Sequence, residues 1–234
     1  MAGLLSPEEW QVVVLSLKVS GVAILIDLPL AFALAWLLAR GRFPGKVLLD
    51  AIVHLPLVLP PVVTGWMLLL AFGSNGPVGR FLLDTFGLGL IFRWTGAALA
   101  AAIMALPLMV RAIRLSLEEV DRRLESAART LGAGPWRTFA SVTLPLALPG
   151  VMAALVLGFA RSIGEFGATI TFASNIPGET RTLPLAIYTA LQIPGSEGDV
   201  ARLAIISVLL SLAALVISET LTRRSGQRKA GHAL

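Results

Sequence analysis

The stretch VVVLSLKVSGVAILIDLPLAFALAWLLA, residues 12–39, decides the class of fold. Lys18 and Asp27 are its only charged side chains. A helix crosses the hydrocarbon core of a bilayer, which is roughly 30 Å thick, with about 20 apolar residues, and this stretch is longer than that. It therefore predicts a membrane-spanning helix.

Four more apolar stretches of sufficient length follow, at residues 47–72, 94–113, 142–172 and 201–221. In lipid, backbone polar groups must pair within their own segment, which favours helices. Of 234 residues, 56% are apolar and 14% charged, whereas about a quarter are charged in soluble domains. The sequence predicts an all-α integral membrane helical bundle of about five transmembrane helices, one domain over residues 1–234. The shorter apolar segment 81–91 is predicted to be interfacial.

Lysine and arginine are distributed unevenly among the loops. The loop at 40–46, the loop at 111–137 and the tail from 223 hold thirteen basic residues, whereas the opposite side holds four. Because basic residues accumulate in cytoplasmic loops, we expect an external N-terminus and a cytoplasmic C-terminus. Residues 116–141 then form a cytoplasmic loop, and residues 173–200 form an ordered external one.

The cytoplasmic loop has the pattern of an amphipathic helix. Its apolar residues at helical spacing are Leu117, Val120, Leu124 and Leu131. Three pairs of opposite charge stand four residues apart with glutamate first: Glu118 with Arg122, Glu119 with Arg123, and Glu125 with Arg129. Such pairs stabilise a helix. Glycines and a proline at 132–135 then predict a turn, followed by a second helical piece that leads back into the membrane.

Ionisable residues inside spans are costly and often functional. Arg161 and Glu165 stand four apart in the fourth apolar stretch, so they lie on one helix face and can pair. One interpretation is a structural pair that neutralises itself. The other is an anion pathway near Arg161, with hydroxyls from Ser162 and Thr169. Asp27 should face protein rather than lipid.

Prolines interrupt two of the predicted spans. Pro56, Pro60 and Pro61 lie in the second, and Pro145 and Pro149 lie in the fourth. Each removes a backbone donor and bends or breaks a helix. These positions predict either fixed bends or broken helices that line a pathway and form its gate.

Several kinds of chemistry lack the residues they need. The segment GRFPGK at 41–46 is one residue too short between its glycines for a nucleotide-binding P-loop, and Val47 replaces the required hydroxyl. His54 and His232 are the only histidines and there is no cysteine, so no metal site is predicted. His54 is interpreted as structural. We expect no catalytic residues, no cofactor on this chain and no nucleic-acid partner.

A longer pattern then appears in the cytoplasmic loop. Ser126-Ala127-Ala128, three residues, Gly132, nine residues and Val142-Thr143-Leu144-Pro145 resemble the E-A-A-x3-G-x9-I-x-L-P motif of permease subunits of bacterial ATP-driven (ABC) importers. Ser126 stands where the motif has glutamate, with Glu125 just before it, and Val142 replaces isoleucine. The resemblance implies contact with a separate ATPase through these residues: Glu125, Ser126, Ala127, Ala128, Arg129, Gly132, Ala133 and Gly134.

The likeness extends over most of the chain and is similar to the molybdate permease branch of that family. The passages that carry it are FPGK at 43–46, residues 55–61, 125–149 and 161–172, and NIPGETRT at 175–182. It implies the type I ABC importer permease fold in its five-span form, in the bacterial inner membrane. It also implies a homodimer, two ATPase subunits that carry ATP and Mg, and an external binding protein that delivers molybdate or tungstate.

Two alternatives remain open at this point. A sulfate or thiosulfate ABC permease would carry a tetrahedral dianion of similar shape. A stand-alone secondary anion carrier would need its own coupling-ion site, for which Asp27 and Glu165 are the buried carboxylates available.

Overall fold

The computed structural model describes residues 6–230, and within them every regular element is helical. In chain order the elements are α1 Pro7–Arg40, α2 Lys46–Val58, α3 Pro61–Phe72, α4 Pro77–Phe86, α5 Trp94–Glu119, α6 Arg122–Thr130, α7 Pro135–Thr138, a π-helical segment Phe139–Thr143, α8 Leu144–Ile163, α9 Gly167–Phe172, α10 Leu183–Leu191 and α11 Glu197–Ala230.

Helix α1 begins with a capping box. The Ser6 hydroxyl accepts from the Glu9 N–H at 3.1 Å, and the Glu9 carboxylate accepts from the Ser6 N–H at 2.7 Å. Both bonds satisfy donors that a helix N-terminus otherwise leaves unpaired, and Pro7 fits the first helical position. The helix ends at Arg40, where the sequence predicts the first span to end.

Helix α5 is the centre of the bundle and packs along both α1 and α8. Its N-terminal half presents alanines to α1, among them Ala97, Ala98, Ala101 and Ala102, all buried. Small residues let helix backbones approach closely in a membrane. Its C-terminal half carries larger buried side chains, including Met109, Ile113 and Leu117, in the core shared with α1 and α8.

The predicted second span, 47–72, is two helices rather than one. Helices α2 and α3 meet at an angle of 117°. Pro60 and Pro61 stand at the bend, where Pro61 is the first residue of α3 and contributes no N–H. Helices α1, α5 and Pro135–Ile163 are each long and apolar enough to cross a membrane, and the bent pair makes a fourth span if it counts as one.

The predicted fourth span, 142–172, is also interrupted. Helix α8 ends at Ile163, residues 164–166 are not helical, and α9 resumes at Gly167. The fifth predicted span, 201–221, lies within α11, whose side chains beyond residue 214 are only partly described. Helix α4 has ten residues, which is too few to cross the hydrocarbon core and agrees with an interfacial piece near 81–91.

The two interrupted spans pack against each other through α3 and α9. Gly65 and Gly167 make this contact close. A Cβ on Gly65 would lie 2.7 Å from the Ala168 carbonyl oxygen, and one on Gly167 would lie 2.7 Å from the Cβ of Pro61. The bend between α2 and α3 and the break between α8 and α9 therefore lie side by side in the bundle.

The cytoplasmic loop differs from the single amphipathic helix predicted from residue 116. Helix α5 continues to Glu119, and α6 begins at Arg122 with Asp121 as its N-cap, whose carboxylate accepts from the Arg123 N–H at 2.8 Å. Leu117 and Val120 consequently belong to the buried core of the bundle.

The three predicted charge pairs of this loop are wrong. Glu118 pairs with Arg114, one turn back on α5, at 2.8 Å. The break between α5 and α6 separates Glu118 and Glu119 from their predicted partners. Glu125 contacts Arg40, and no ion pair of Arg129 is present in the described part of the chain.

Candidate functional sites in the cytoplasmic loop and the broken helices

The predicted coupling residues lie on α6 and on the turn that follows it. Gly132 has a φ of +86°, a left-handed conformation that suits glycine, and it ends the helix. Gly134 is the N-cap of α7, so the loop reverses within a few residues. The predicted helix, glycine turn and second helical piece are thus confirmed, with the helix starting at Arg122.

Helix α6 has two faces of different character. No residue of α6 is buried. On one face are Ala127 and Ala128 with two apolar side chains, Leu124, which is half exposed, and Leu131, which is 88% exposed. Exposed leucines beside alanines on a short helix form a surface suited to a protein partner.

The opposite face of α6 turns toward the end of α1. Glu125 lies on it, and its carboxylate oxygen Oε1 accepts from Arg40 Nη2 at 3.0 Å and from Thr143 Oγ1 at 2.7 Å. Ser126, at the glutamate position of the motif, donates to the Arg122 carbonyl of its own helix at 3.0 Å. The Glu125 carboxylate therefore connects α1, α6 and the π-helical segment.

An aromatic cluster reinforces the same junction. The ring of Phe139, the first residue of the π-helical segment, lies edge-on to Phe32 at 5.9 Å, to Trp36 at 5.4 Å and to Trp136 at 6.4 Å between centroids. Edge-to-face contacts of this kind add to apolar burial. The π-helical segment thus packs on the C-terminal end of α1.

The second group of predicted residues lies at the break between α8 and α9. Arg161 Nη1 and Glu165 Oε2 are 2.6 Å apart, so the pair predicted from their spacing forms. The other Glu165 oxygen accepts from the Ala168 N–H at 2.7 Å, in the first turn of α9. Glu165 is buried, and its two carboxylate oxygens bind the Arg161 guanidinium and the Ala168 N–H. This arrangement favours the structural interpretation of the pair.

The remaining pathway residues surround this break. Ser162 and Thr169 are buried on either side of it, and the Ser162 hydroxyl has no hydrogen-bond partner in the part of the chain that the structure describes. Pro61 lies against Gly167, and Pro60 precedes it at the bend. Pro56 lies within α2, about one turn earlier.

The coupling residues and the broken helices are at opposite ends of α8. Its 20 residues correspond to about 30 Å of helix. The two groups therefore do not form one site, and α8 is the element that connects them.

A cluster that the sequence did not indicate joins α2 to α5. Asp50 Oδ2 lies 2.9 Å from Arg114 Nη1, and His54 Nδ1 lies 2.9 Å from the Asp50 carbonyl oxygen. These residues line a cavity of about 510 Å³. Asp50 and Arg114 are 64 residues apart, so no local pattern reveals the pair, and the contacts agree with the structural interpretation of His54.

Asp27 is buried on α1, 2% exposed, and therefore faces protein, as predicted. Its Oδ2 atom has no hydrogen-bond partner among the described residues.

Comparison with known proteins extends these observations. The family described as a binding-protein-dependent transport system inner membrane component matches residues 28–227. The molybdenum transport system permease protein ModB of Escherichia coli K12 is 60% identical over 225 residues, which cover 96% of this chain and 98% of that protein. The sulfate transport system permease protein CysT of the same organism is 42% identical over 202 residues, 85% of this chain and 71% of that one.

Solved structures share the fold at low sequence identity. A bacterial ABC transporter involved in import of the acidic polysaccharide alginate contains a chain with a TM-score of 0.73 and 18% identity. The match covers 94% of this chain and 80% of the other. The overall fold is therefore shared with chains of ABC importers.

Proposed function

Since the chain belongs to the family of binding-protein-dependent transport system inner membrane components, we propose that it forms the path by which molybdate, or tungstate, crosses the bacterial inner membrane. It is an all-α membrane permease of the type I ABC importer fold and is not itself an enzyme, because ATP hydrolysis belongs to a separate subunit.

The similarity to a molybdenum permease over nearly the whole chain is the observation that carries this proposal. The sulfate permease is less similar and matches a smaller share of both proteins. Sulfate or thiosulfate is accordingly the second candidate substrate. Molybdate and sulfate are both tetrahedral dianions, and thiosulfate is nearly so. Discrimination between these substrates therefore depends on the external binding protein as well.

The exposed face of α6 supports docking of an ATPase subunit. Ala127 and Ala128 leave room for close approach, while Leu124 and Leu131 present apolar surface that a partner can cover. In a homodimer, two such faces would engage two ATPase subunits, which hold ATP and Mg. Closure of those subunits on ATP would draw the paired α6 helices together.

Glu125 supports a path from that movement into the membrane. Its bonds to Arg40 and Thr143 connect α6 to the end of α1 and to the segment before α8, so in this mechanism the three would move together. Helix α8 leads to the break at residues 164–166, beside the bend between α2 and α3. In this mechanism the bent helices are the moving parts of the gate, and the pair Arg161–Glu165 holds the break in shape.

On the outer side, the proposal places an external binding protein against the loop 173–200 and its neighbours. This loop is ordered, with α10 inside it. The Thr180 hydroxyl accepts from the Ile176 N–H at 2.8 Å and donates to the Ser174 carbonyl at 3.1 Å. Because this loop already has a defined structure, it can bind the external binding protein with its oxyanion without first having to fold.

The test is uptake of labelled molybdate into vesicles that hold this chain with its ATPase and binding protein, with and without ATP. We expect ATP-dependent uptake that excess tungstate blocks and excess sulfate does not. Blockage by sulfate would assign the chain to sulfate transport, and uptake without ATP would contradict the ABC mechanism in favour of a secondary carrier.

A further inference from the structure

A cavity of about 320 Å³ lies between the cytoplasmic end of α1 and the inner face of α6. Trp36 and Arg40 line it from α1, and Thr138, Phe139 and Thr143 line it from the segment that leads into α8. Indole rings favour the membrane interface, and Trp36 lies one turn before the end of the first span. This position predicts a cavity at the depth of the lipid headgroups on the predicted cytoplasmic side.

The lining of the cavity is basic. Arg40, Arg122 and Arg129 contribute three positive charges against one negative charge from Glu125. Within the described residues, the side chains of Arg122 and Arg129 have no ion pair or hydrogen bond. The Nε atom of Arg40 is buried and also lacks a partner there. Two net positive charges thus face this cavity without a matching anion.

The arginines lie on a different side of α6 from the leucines that are proposed to meet the ATPase, although the resemblance also implies ATPase contact through Arg129. At 100° per residue, Arg122 and Arg129 lie on the same side of α6 as Glu125 and Ser126, which also line the cavity. Leu124 and Leu131 lie on the opposite side. A partner protein that covers the leucines can therefore leave the arginines and the cavity uncovered.

The apolar surface beside the cavity matches lipid chains. Leu30 and Leu37 of α1 are both more than one-third exposed, and Leu37 lies one turn before Arg40 on the same side. Trp136, which is 82% exposed, lies edge-on against Phe139, a residue that lines the cavity. Basic pockets between helices at the cytoplasmic face bind anionic lipid headgroups.

We propose that this cavity binds the phosphate group of an anionic phospholipid, with Arg122 and Arg129 as its main contacts and with the acyl chains along α1. The ligand chemistry is a phosphate diester attached to a hydrophobic anchor. Bound lipid would lie between α1 and α6, next to the junction held by Glu125. The site lies at the opposite end of α8 from the proposed gate at residues 164–166.

The test is native mass spectrometry of the purified full chain, with phosphatidylglycerol and with phosphatidylcholine of the same acyl chains. We expect one phosphatidylglycerol per chain to bind in clear preference to phosphatidylcholine. The double variant Arg122→Gln/Arg129→Gln should bind phosphatidylglycerol roughly tenfold more weakly, because each basic residue near an anionic surface contributes to its attraction. The variant Arg122→Lys/Arg129→Lys, which keeps both charges, should retain most of the preference.

The matched control is Arg123→Gln/Arg137→Gln, which removes two exposed charges from the same loop outside the cavity. It should bind phosphatidylglycerol like the original chain. An equal loss in both double variants would overturn the proposal in favour of general charge attraction, and so would equal binding of the two lipids by the original chain.

Two further arms separate other ligands. Displacement of phosphatidylglycerol by inorganic phosphate would mean a soluble anion site and overturn the lipid assignment. If Arg122→Gln/Arg129→Gln still binds the lipid normally but no longer co-purifies with the ATPase, the arginines belong to that protein interface instead. The lipid measurement needs neither substrate nor ATP, so its outcome is independent of the proposed transport function.

Discussion

At the scale of single residues, Glu125 connects three parts of the chain through one carboxylate. Its side chain and that of Arg40 are 14% and 13% exposed, so most of the pair is shielded from water. Removing one partner leaves the other charge partly buried and unpaired. We expect Glu125→Gln and Arg40→Gln each to lower the free energy of unfolding by about 1–3 kcal/mol and to reduce ATP-dependent uptake.

The control is Glu118→Gln, which removes a more exposed carboxylate from an ion pair on the same cytoplasmic side. This variant should lower the free energy of unfolding by less than about 1 kcal/mol. The exchange Arg40→Glu/Glu125→Arg should recover part of the lost uptake. Thermal unfolding and uptake measure these effects, and an exchange variant no better than the single variants would argue against a direct role of the pair.

Glu165 gives a second prediction at this scale, and it separates the two interpretations of the pair with Arg161. Glu165→Gln loses the ion pair but keeps an oxygen for the Ala168 N–H, whereas Glu165→Ala loses both. If the pair is structural, the alanine variant should be destabilised by about 3 kcal/mol or more and the glutamine variant by less. Thermal stability of the purified chain measures this order. Loss of uptake in Glu165→Gln at unchanged stability would favour the anion-pathway interpretation.

At the scale of elements, the turn after α6 lies at the proposed interface with the ATPase and gives a direct test of the coupling mechanism. Gly132→Glu places a charged side chain at the proposed ATPase interface and on a left-handed backbone, which costs roughly 1–2 kcal/mol. We expect this variant to insert into the membrane but to lose ATP-dependent uptake and co-purification with the ATPase. Uptake at the normal rate would contradict the coupling assignment.

Gly87→Glu is the matched control for that experiment. Gly87 also has a left-handed backbone, with a φ of +66°, ends a short helix, and has open space where a Cβ would be. The local strain is therefore similar, but the position is remote from α6 in sequence and lies on the predicted external side. This variant should insert and transport normally, which would attribute the Gly132 effect to the interface.

Some of these elements follow directly from the sequence and others do not. Long apolar stretches predict α1, α5 and α8 because the bilayer imposes a length and a composition on each span. The bend of 117° between α2 and α3 was not predictable, since prolines permit a break but packing of Gly65 against α9 sets its angle. The apolar pattern predicts a continuous helix through Glu165 and does not indicate the break at residues 164–166, where the Glu165 carboxylate accepts from the Ala168 N–H.

Contacts between distant residues were beyond the sequence as well. Arg40 and Glu125 are 85 residues apart, whereas the spacing within a single chain indicates only local pairs and therefore favours Arg129 as the partner of Glu125. The coupling residues themselves were found by motif spacing, and the structure places them together on α6 and its turn. Which of them contacts the ATPase stays a prediction.

At the scale of the whole molecule, the orientation in the membrane is directly testable, because the chain has no cysteine. A single cysteine at Phe86, an exposed position on the predicted external side, should react with a membrane-impermeant maleimide on intact spheroplasts. A single cysteine at Arg123, exposed on the predicted cytoplasmic side, should react only after permeabilisation. The reverse labelling pattern would invert the predicted topology.

The length of α8 has a mechanical consequence. A rigid rod of about 30 Å that tilts by about 10° at one end displaces its other end by about 5 Å. That distance is about the diameter of a small tetrahedral oxyanion. A small rotation of α8 at the Glu125 junction would therefore move the other end of the helix far enough to open or close a passage beside residues 164–166.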